Sequence, residues 1–332
     1  MKVLVTGGGG FLGGYIVRQL VERGDNVRSF SRGVYDGLSK LGVEQKQGSL
    51  DDAQAVSDAV AGCDAVVHVG SKAGVWGPYE EYYRANVVGT ENVINACIKH
   101  GVKRLVYTSS PSVVFQDGDM ENADESAPYP DHYSSNYPKT KAMAERMIIA
   151  ANGDNLATVA LRPHLIWGPR DNHLFPRLVS RAKAGRLLII GNGKNLIDTV
   201  WVENAAKAHI LALDKLEPGA RIAGKVYFIT NGEPRSIKAF LNFVMDIYGL
   251  PPVKRHVPRW LAYVVGWLFE TAYNKLKLKS EPLVTPFVVE EMTQSHWFNI
   301  SNARNDLGYN PDITVDEGAR IYKEYLRKTR GA

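Results

Sequence analysis

Residues 1–14 read MKVLVTGGGGFLGG. A short apolar run, Val3-Leu4-Val5, enters a glycine cluster, and from Phe11 to Val21 the apolar residues recur with helical period. The pattern is strand, tight turn, helix. Gly7, Gly10 and Gly13 fall three apart: the first suits a turn with positive φ, the second lets backbone approach a pyrophosphate, and the third lets the helix pack closely on the strand. Phosphates would sit at the helix N-terminus, where free N–H groups and the dipole favour anions. Gly7, Gly10, Phe11, Leu12 and Gly13 are therefore the candidate phosphate-binding set.

Outward from this motif, the first half alternates the two periodicities. Strands are expected over 3–6, 27–30, 43–47, 65–68, 105–109 and 157–161, and helices over 11–22, 52–60, 80–99 and 138–151. Such alternation predicts an α/β fold with a Rossmann-type, doubly wound parallel sheet. After about residue 165 the pattern changes: short strands (187–190, 226–229, 297–300) mix with helices such as 236–248. The expected organisation is a dinucleotide-binding domain over 1–165, its sheet completed by segments near 198–232, and a smaller mixed substrate region over 166–332. The loop 115–136 is long and acidic, a length that is as often functional as it is a solvated excursion.

The 332 residues carry a net charge of +5, but no dense basic block with interleaved aromatics, so nucleic acid is not an expected partner. Cys63 and Cys97, in apolar surroundings, read as reduced core thiols. No leader precedes the first strand, so a cytoplasmic location is expected. His68, His164 and His209 match no metal-ligand spacing, and no metal is expected. Asn192, Lys194 and Asp198 read as turn-forming. The stretch WLAYVVGWLF (260–269) is apolar on nearly every face, with Arg255 and Arg259 before it and Lys275, Lys277 and Lys279 after. Ten residues do not span a bilayer. The stretch reads either as a buried helix of the substrate region or as a lid resting on a membrane surface through 255–279.

The second expected strand ends Arg28-Ser29-Phe30-Ser31-Arg32, without the carboxylate that bonds a ribose 2′-hydroxyl in NAD sites. Ser31 and Arg32 suit a 2′-phosphate, so NADP(H) is expected over NAD(H). Ser49 and Leu50, after the third strand, are placed to touch adenine. For chemistry, Tyr137 and Lys141 lie four apart on one helical face, with Pro138 acceptable in a first turn. A phenol is a poor acid or base at neutral pH; a neighbouring ammonium would favour the phenolate. A second Tyr-x-x-x-Lys, Tyr273 with Lys277, lacks the context of a strand end. Tyr137 has that context, because Ser110 follows the strand over 105–109 and ligands of such sheets sit at strand carboxyl ends.

Over nearly its whole length the chain resembles the extended short-chain dehydrogenases/reductases, in their 3β-hydroxysteroid dehydrogenase branch. VYTSSPSVVF (106–115), ALRPHLIWGPRD (160–171), IGNGKNLIDTVWVENAAKAHIL (190–211), YFITNGEP (227–234) and NARNDLGYNP (302–311) resemble sterol-4α-carboxylate 3-dehydrogenases. KAGVWGPYEEYYRANVVGTENV (72–93) is more similar to bacterial 2-alkyl-3-oxoalkanoate reductases. The resemblance implies Tyr137 as general acid/base, Lys141 as the group that lowers its pKa and bonds the nicotinamide ribose, and Ser110 as the hydrogen-bond partner of the substrate oxygen. It implies Asn86 as support for the active site, Pro163, His164 and Leu165 beside the nicotinamide carboxamide, and a homodimer through the helices 80–99 and 138–151. The chain departs from the family at Ser49, where an acid usually contacts adenine, and at the end of the second strand, where sterol enzymes of mammalian type carry aspartate. The expected reaction interconverts a 3-oxo and a 3-hydroxy group on a hydrophobic, α-branched substrate. Reduction of a 2-alkyl-3-oxoalkanoate stands first and oxidation of a 3β-hydroxysterol second. Sugar-nucleotide epimerisation or dehydration, and an NADP-binding sensor, are the remaining alternatives.

Overall fold

The computed structural model describes residues 1–330 apart from Val75, Lys277 and Lys279. Seven strands form one parallel sheet: β1 (Lys2–Thr6), β2 (Asn26–Ser31), β3 (Glu44–Gln47), β4 (Ala65–His68), β5 (Arg104–Thr108), β6 (Ala157–Pro163) and β7 (Val226–Ile229). Their spatial order is β3-β2-β1-β4-β5-β6-β7, so the winding reverses between β1 and β4. The crevice at that reversal, outside the carboxyl ends of the strands, is where such sheets bind ligands. Alternation along β1 shows how the sheet divides the core. Val3 and Val5 enter one apolar cluster with Ile16, Val17 and Ala208. Leu4 enters the opposite one with Val56, Val93 and Ile148. The first cluster is covered by α1 (Phe11–Glu22) and the helix Val202–Lys215, the second by α2 (Ala53–Val60), α3 (Gly89–Lys99) and α4 (Asn136–Ala150). A third core, built on Trp167, Phe175, Trp201, Phe240 and Tyr322, belongs to the C-terminal half.

Several elements differ from the sequence expectation. The expected continuous helix over 80–99 is interrupted by a π-helical turn at Tyr83–Val88. Thr90 Oγ1 donates to the Asn86 carbonyl in that turn at 2.6 Å, and such bulges are frequent at functional sites. The acidic loop is not a free excursion. Its residues Met120–Ala123 form a strand beside His296–Phe298. Asp119 accepts from Ser295 N at 2.7 Å, and Glu125 accepts from Phe228 N at 2.9 Å. Two of the acids thus anchor the loop to the C-terminal half. The strand expected over 187–190 is confined to Ile189–Ile190, and the one expected over 297–300 is shifted to His296–Phe298. The apolar stretch 260–269 lies in the helix Arg259–Lys275, but it is not buried: only Ala262 and Gly266 of that helix are.

Candidate active site

The glycine turn is built as its spacing requires. Gly7 has φ +69°, and a Cβ there would lie 2.8 Å from Gly70 Cα. A Cβ on Gly13 would lie 2.2 Å from Gly7 O, which no side chain can relieve because the obstacle is backbone. Gly10 N donates to Gly7 O at 2.9 Å and leads directly into α1, whose first turn carries no acidic residue. Leu12 is buried and Phe11 packs edge-on against Tyr15. Bare backbone, free helix N–H groups and the absence of negative charge fit a dinucleotide pyrophosphate. Outside the turn, Ser31 Oγ accepts from Gly9 N at 3.3 Å. Arg32 is exposed, and no carboxylate pairs with it among the described residues. Tyr35 was not anticipated: its ring lies against Gly9, where a Cβ would come within 2.0 Å of Cε2.

At the end of β3, Ser49 donates to Asp51 Oδ1, which holds that carboxyl below its usual range. Asp51 also pairs with Arg84 at 2.5 Å. The acid missing at position 49 is thus present two residues on, tied to a cation. Leu50 packs on Gly70 and Gly89, where added Cβ atoms would meet it at 3.0 and 2.7 Å. At the end of β5, Ser109 Oγ is buried with no hydrogen-bond partner.

Ser110 follows β5 and caps the short 3₁₀ helix Pro111–Val114; its Oγ lies 2.9 Å from Ser112 Oγ. Tyr137 is in the first turn of α4, where Pro138 loses no helical bond. Burial raises the Tyr137 phenol above its ordinary value; a hydrogen bond from Ser110 pulls it back, and the Glu291 carboxylate pushes it up. The expected lowering by Lys141 is not realised in this arrangement. Lys141 Nζ donates instead to Thr108 O at 2.6 Å and sits 4.2 Å from the centre of the Tyr107 ring. Burial brings its own pKa down to about 7, against the opposing pull of Glu145. Asn86 clamps the region from the π turn: Oδ1 accepts from Lys72 N at 2.7 Å, and Nδ2 donates to Lys72 O and to Thr140 Oγ1 at 3.1 and 3.0 Å.

Pro163 ends β6, and His164 N donates to Ile229 O of β7 at 3.1 Å. His164 Nδ1 is 2.7 Å from Asp198 Oδ1, whose other oxygen accepts from Phe298 N at 2.9 Å. Asp198 is therefore a buried anchor for His164 and not part of a turn. Asn192 does form one, accepting from Lys194 N at 2.8 Å. Leu165 has φ +43°, rare for a residue with a side chain, and follows directly. His68 and His209 are structural. His68 lies between Thr6 and Thr90, His209 beside Thr108, and burial pushes them down to about 3 and about 4. Among the described residues no group of three His, Cys, Asp or Glu side chains is placed to hold a metal. Tyr273 of the second Tyr-x-x-x-Lys meets Trp76 edge-on at 5.9 Å; Lys277 lies outside the described residues.

Glu291 had no signal in the sequence. It rides on the helix Pro286–Thr293, capped by Thr285, and its Oε1 is buried without a hydrogen-bond partner. Burial raises its carboxyl to about 8. It approaches Tyr137 from 154 positions away, which only the packing of the C-terminal half on the sheet brings about.

Residues 4–259 match the family model described as the 3-beta hydroxysteroid dehydrogenase/isomerase family. The chain is 49% identical over 326 residues to a 2-alkyl-3-oxoalkanoate reductase of Stenotrophomonas maltophilia, covering 97% of this chain and 98% of that protein. It is 36% identical to the mouse sterol-4-alpha-carboxylate 3-dehydrogenase, decarboxylating, over 95% of this chain and 88% of that one. Its fold superimposes on MoeE5, solved in complex with UDP-glucose and NAD, with a TM-score of 0.75, 25% identity, and coverage of 99% and 100%. With its parallel doubly wound sheet, glycine turn and Ser110–Tyr137 pair, the chain belongs to the 3-beta hydroxysteroid dehydrogenase/isomerase family, oxidoreductases of the extended short-chain dehydrogenase/reductase fold.

Proposed function

We propose that this oxidoreductase reduces the 3-oxo group of a 2-alkyl-3-oxoalkanoate, with NADPH as the reductant. The observation that carries the reading is the meeting of Ser110 and Tyr137 beside the end of β5, with Lys141 one helical turn further on α4. Phosphate preference rests on the exposed Arg32, the Ser31 hydroxyl and the absence of a carboxylate at the end of β2. The substrate class rests on the likeness to the Stenotrophomonas reductase across the full length of both chains.

The glycine turn at Gly7, Gly10 and Gly13, with Ser31 and Arg32, would hold NADPH, which would supply the hydride for the carbonyl carbon. The protein does the rest. Ser110, its rotamer held by Ser112, donates a hydrogen bond to the ketone oxygen. Tyr137 delivers the proton to the same oxygen, and the hydrogen bond from Ser110 favours the phenolate that delivery leaves, against the burial that raises its pKa. Glu291, with its carboxyl at about 8, is mostly protonated at pH 7 and adds little negative charge beside the phenol. Lys141, held on the buried side by Thr108 O, would bond the nicotinamide ribose of the cofactor and set an ammonium charge beside the phenolate that proton delivery leaves. A second reading, oxidation of a 3β-hydroxysterol carrying a 4α-carboxylate, is supported by the mouse relative.

Hydride transfer by purified protein tests both, with NADPH and NADH scanned against a 2-alkyl-3-oxo acid, run in reverse on the 3-hydroxy acid, and against a 3β-hydroxysterol carboxylate. Turnover of the acyclic acid with the phosphorylated cofactor is the expected result. Turnover of the sterol alone would transfer the protein to the second reading. Tyr137→Phe should lower turnover by about 10²- to 10⁴-fold while leaving cofactor binding intact; full activity in that variant would overturn the catalytic assignment.

A further inference from the structure

The helix Arg259–Lys275 is built inside out. The residues it buries are small. Gly266 sits so close to the backbone of Thr285 and Pro286 that a Cβ would come within 3.0 Å of Thr285 C. Its bulky apolar residues face solvent: Trp260 is 68% exposed, Trp267 56%, Leu268 55% and Val264 47%. Positions 260, 264, 267 and 268 share one helical stripe. Leu276, 68% exposed, continues the apolar surface past the helix end. Isolated exposed hydrophobics need no explanation, but a contiguous stripe of this kind marks a binding face.

We infer that this face docks on the surface of an anionic lipid bilayer. Charge selects the occupant. Between residues 254 and 279 the sequence carries six Lys and Arg (254, 255, 259, 275, 277, 279) against one acid, Glu270. Lys254, Arg255, Arg259 and Lys275 are exposed around the stripe, and Glu270 is half-buried on the helix. A second copy of the chain would bring like charges together around the contact, whereas anionic headgroups neutralise them. Two tryptophans on the apolar side suit the headgroup boundary, where an apolar ring body and a polar N–H are both accommodated. No described helix is long and apolar enough to cross a membrane, so the helix lies on the bilayer and does not pass through it.

The helix is linked through packing to the segments around Tyr137. On its inner side the helix packs against Pro286–Thr293, which carries Glu291 to the neighbourhood of Tyr137. Trp76, within the stretch that Asn86 clamps at Lys72, donates to Leu278 O at 3.3 Å, linking that stretch to the segment just past the helix.

Co-sedimentation of the full-length protein with vesicles tests this without reference to turnover, so it stands or falls separately from the proposed reaction. The expected result is binding to mixed phosphatidylglycerol/phosphatidylcholine vesicles, weakened by salt, and little binding to phosphatidylcholine alone. Trp260→Ser combined with Trp267→Ser should abolish it while leaving turnover of a dispersed substrate unchanged. Arg255→Gln with Arg259→Gln should weaken it by about fivefold per charge, and gives the same test should the tryptophan variant fold poorly. Failure to bind anionic vesicles would overturn the inference, as would equal binding to neutral ones. So would a dimer in light scattering that the tryptophan variant converts to monomer, since the face would then belong to a second copy.

Discussion

Glu145→Gln probes the buried charge network that lies behind Lys141. Arg162 and Glu145 are 2% and 0% exposed at their side chains. Arg162 Nε and NH2 donate to the two carboxylate oxygens at 2.9 and 2.6 Å, and Tyr129 adds a third bond at 2.6 Å. Glutamine keeps the shape but turns one acceptor into a donor facing the guanidinium, leaving a buried cation uncompensated. Breaking a buried pair in this way costs about 3–5 kcal/mol. Glu145 is also the group that opposes burial at Lys141, so its loss should move the lysine below its present value of about 7. The sign follows: a lysine of lower pKa loses its proton at lower pH, so any limb of kcat/KM that needs the ammonium shifts toward acid. Urea unfolding followed by tryptophan fluorescence measures the first effect and a pH profile the second. A loss below 1 kcal/mol would refute the claim that the pair is charged and desolvated. Adding Arg162→Met should recover part of the loss, because it removes the orphaned charge.

Arg32→Ala should weaken NADPH binding about tenfold or more, the loss of one charge-assisted phosphate contact, and leave NADH nearly unchanged; equal effects in titration calorimetry would remove the assigned role. His68, His209 and His296 are held neutral at about 3, 4 and 3, against an ordinary value of 6.5. Their contribution is therefore complete above pH 6.5 and lost as the pH falls toward those values, each by about 2 kcal/mol at pH 5; a melting temperature constant from pH 7 to 5 would contradict this. Glu291→Gln removes the carboxylate that raises the Tyr137 phenol. The alkaline limb assigned to Tyr137 should move to lower pH, and an unmoved limb would separate the two groups. A dimer through the helices over 80–99 and 138–151 should appear in light scattering, with Ile98, 51% exposed, near one end; a monomer would refute it.

Local patterns carried much of the site. Gly7, Gly10 and Gly13 act through backbone geometry, and a backbone that tolerates no Cβ announces itself as glycine wherever the fold places it. Tyr137 and Lys141 were legible as a pair because helical periodicity sets which residues share a face. Where Lys141 points was not legible. Its contact with Thr108 O depends on the distance between α4 and β5, which packing alone sets. Asp198 misled for a related reason. A short polar cluster looks like a turn locally, yet the carboxylate is drawn inward by His164 and Phe298 N, residues 34 and 100 positions away.

By itself, the sequence determined the alternation of strands and helices in the first half, the glycine turn and the chemical identities at the strand ends, since each depends on neighbours within a few residues. Tertiary structure alone decided three things: that Glu291 stands near Tyr137, that the acidic loop is pinned by Ser295 and Phe228, and that the apolar face of Arg259–Lys275 is turned to solvent. Each of these depends on which surface a distant segment covers. An apolar helix carries the same residues whether it is buried or exposed, and only the close seat of Gly266 on Thr285 and Pro286 settles which face turns inward.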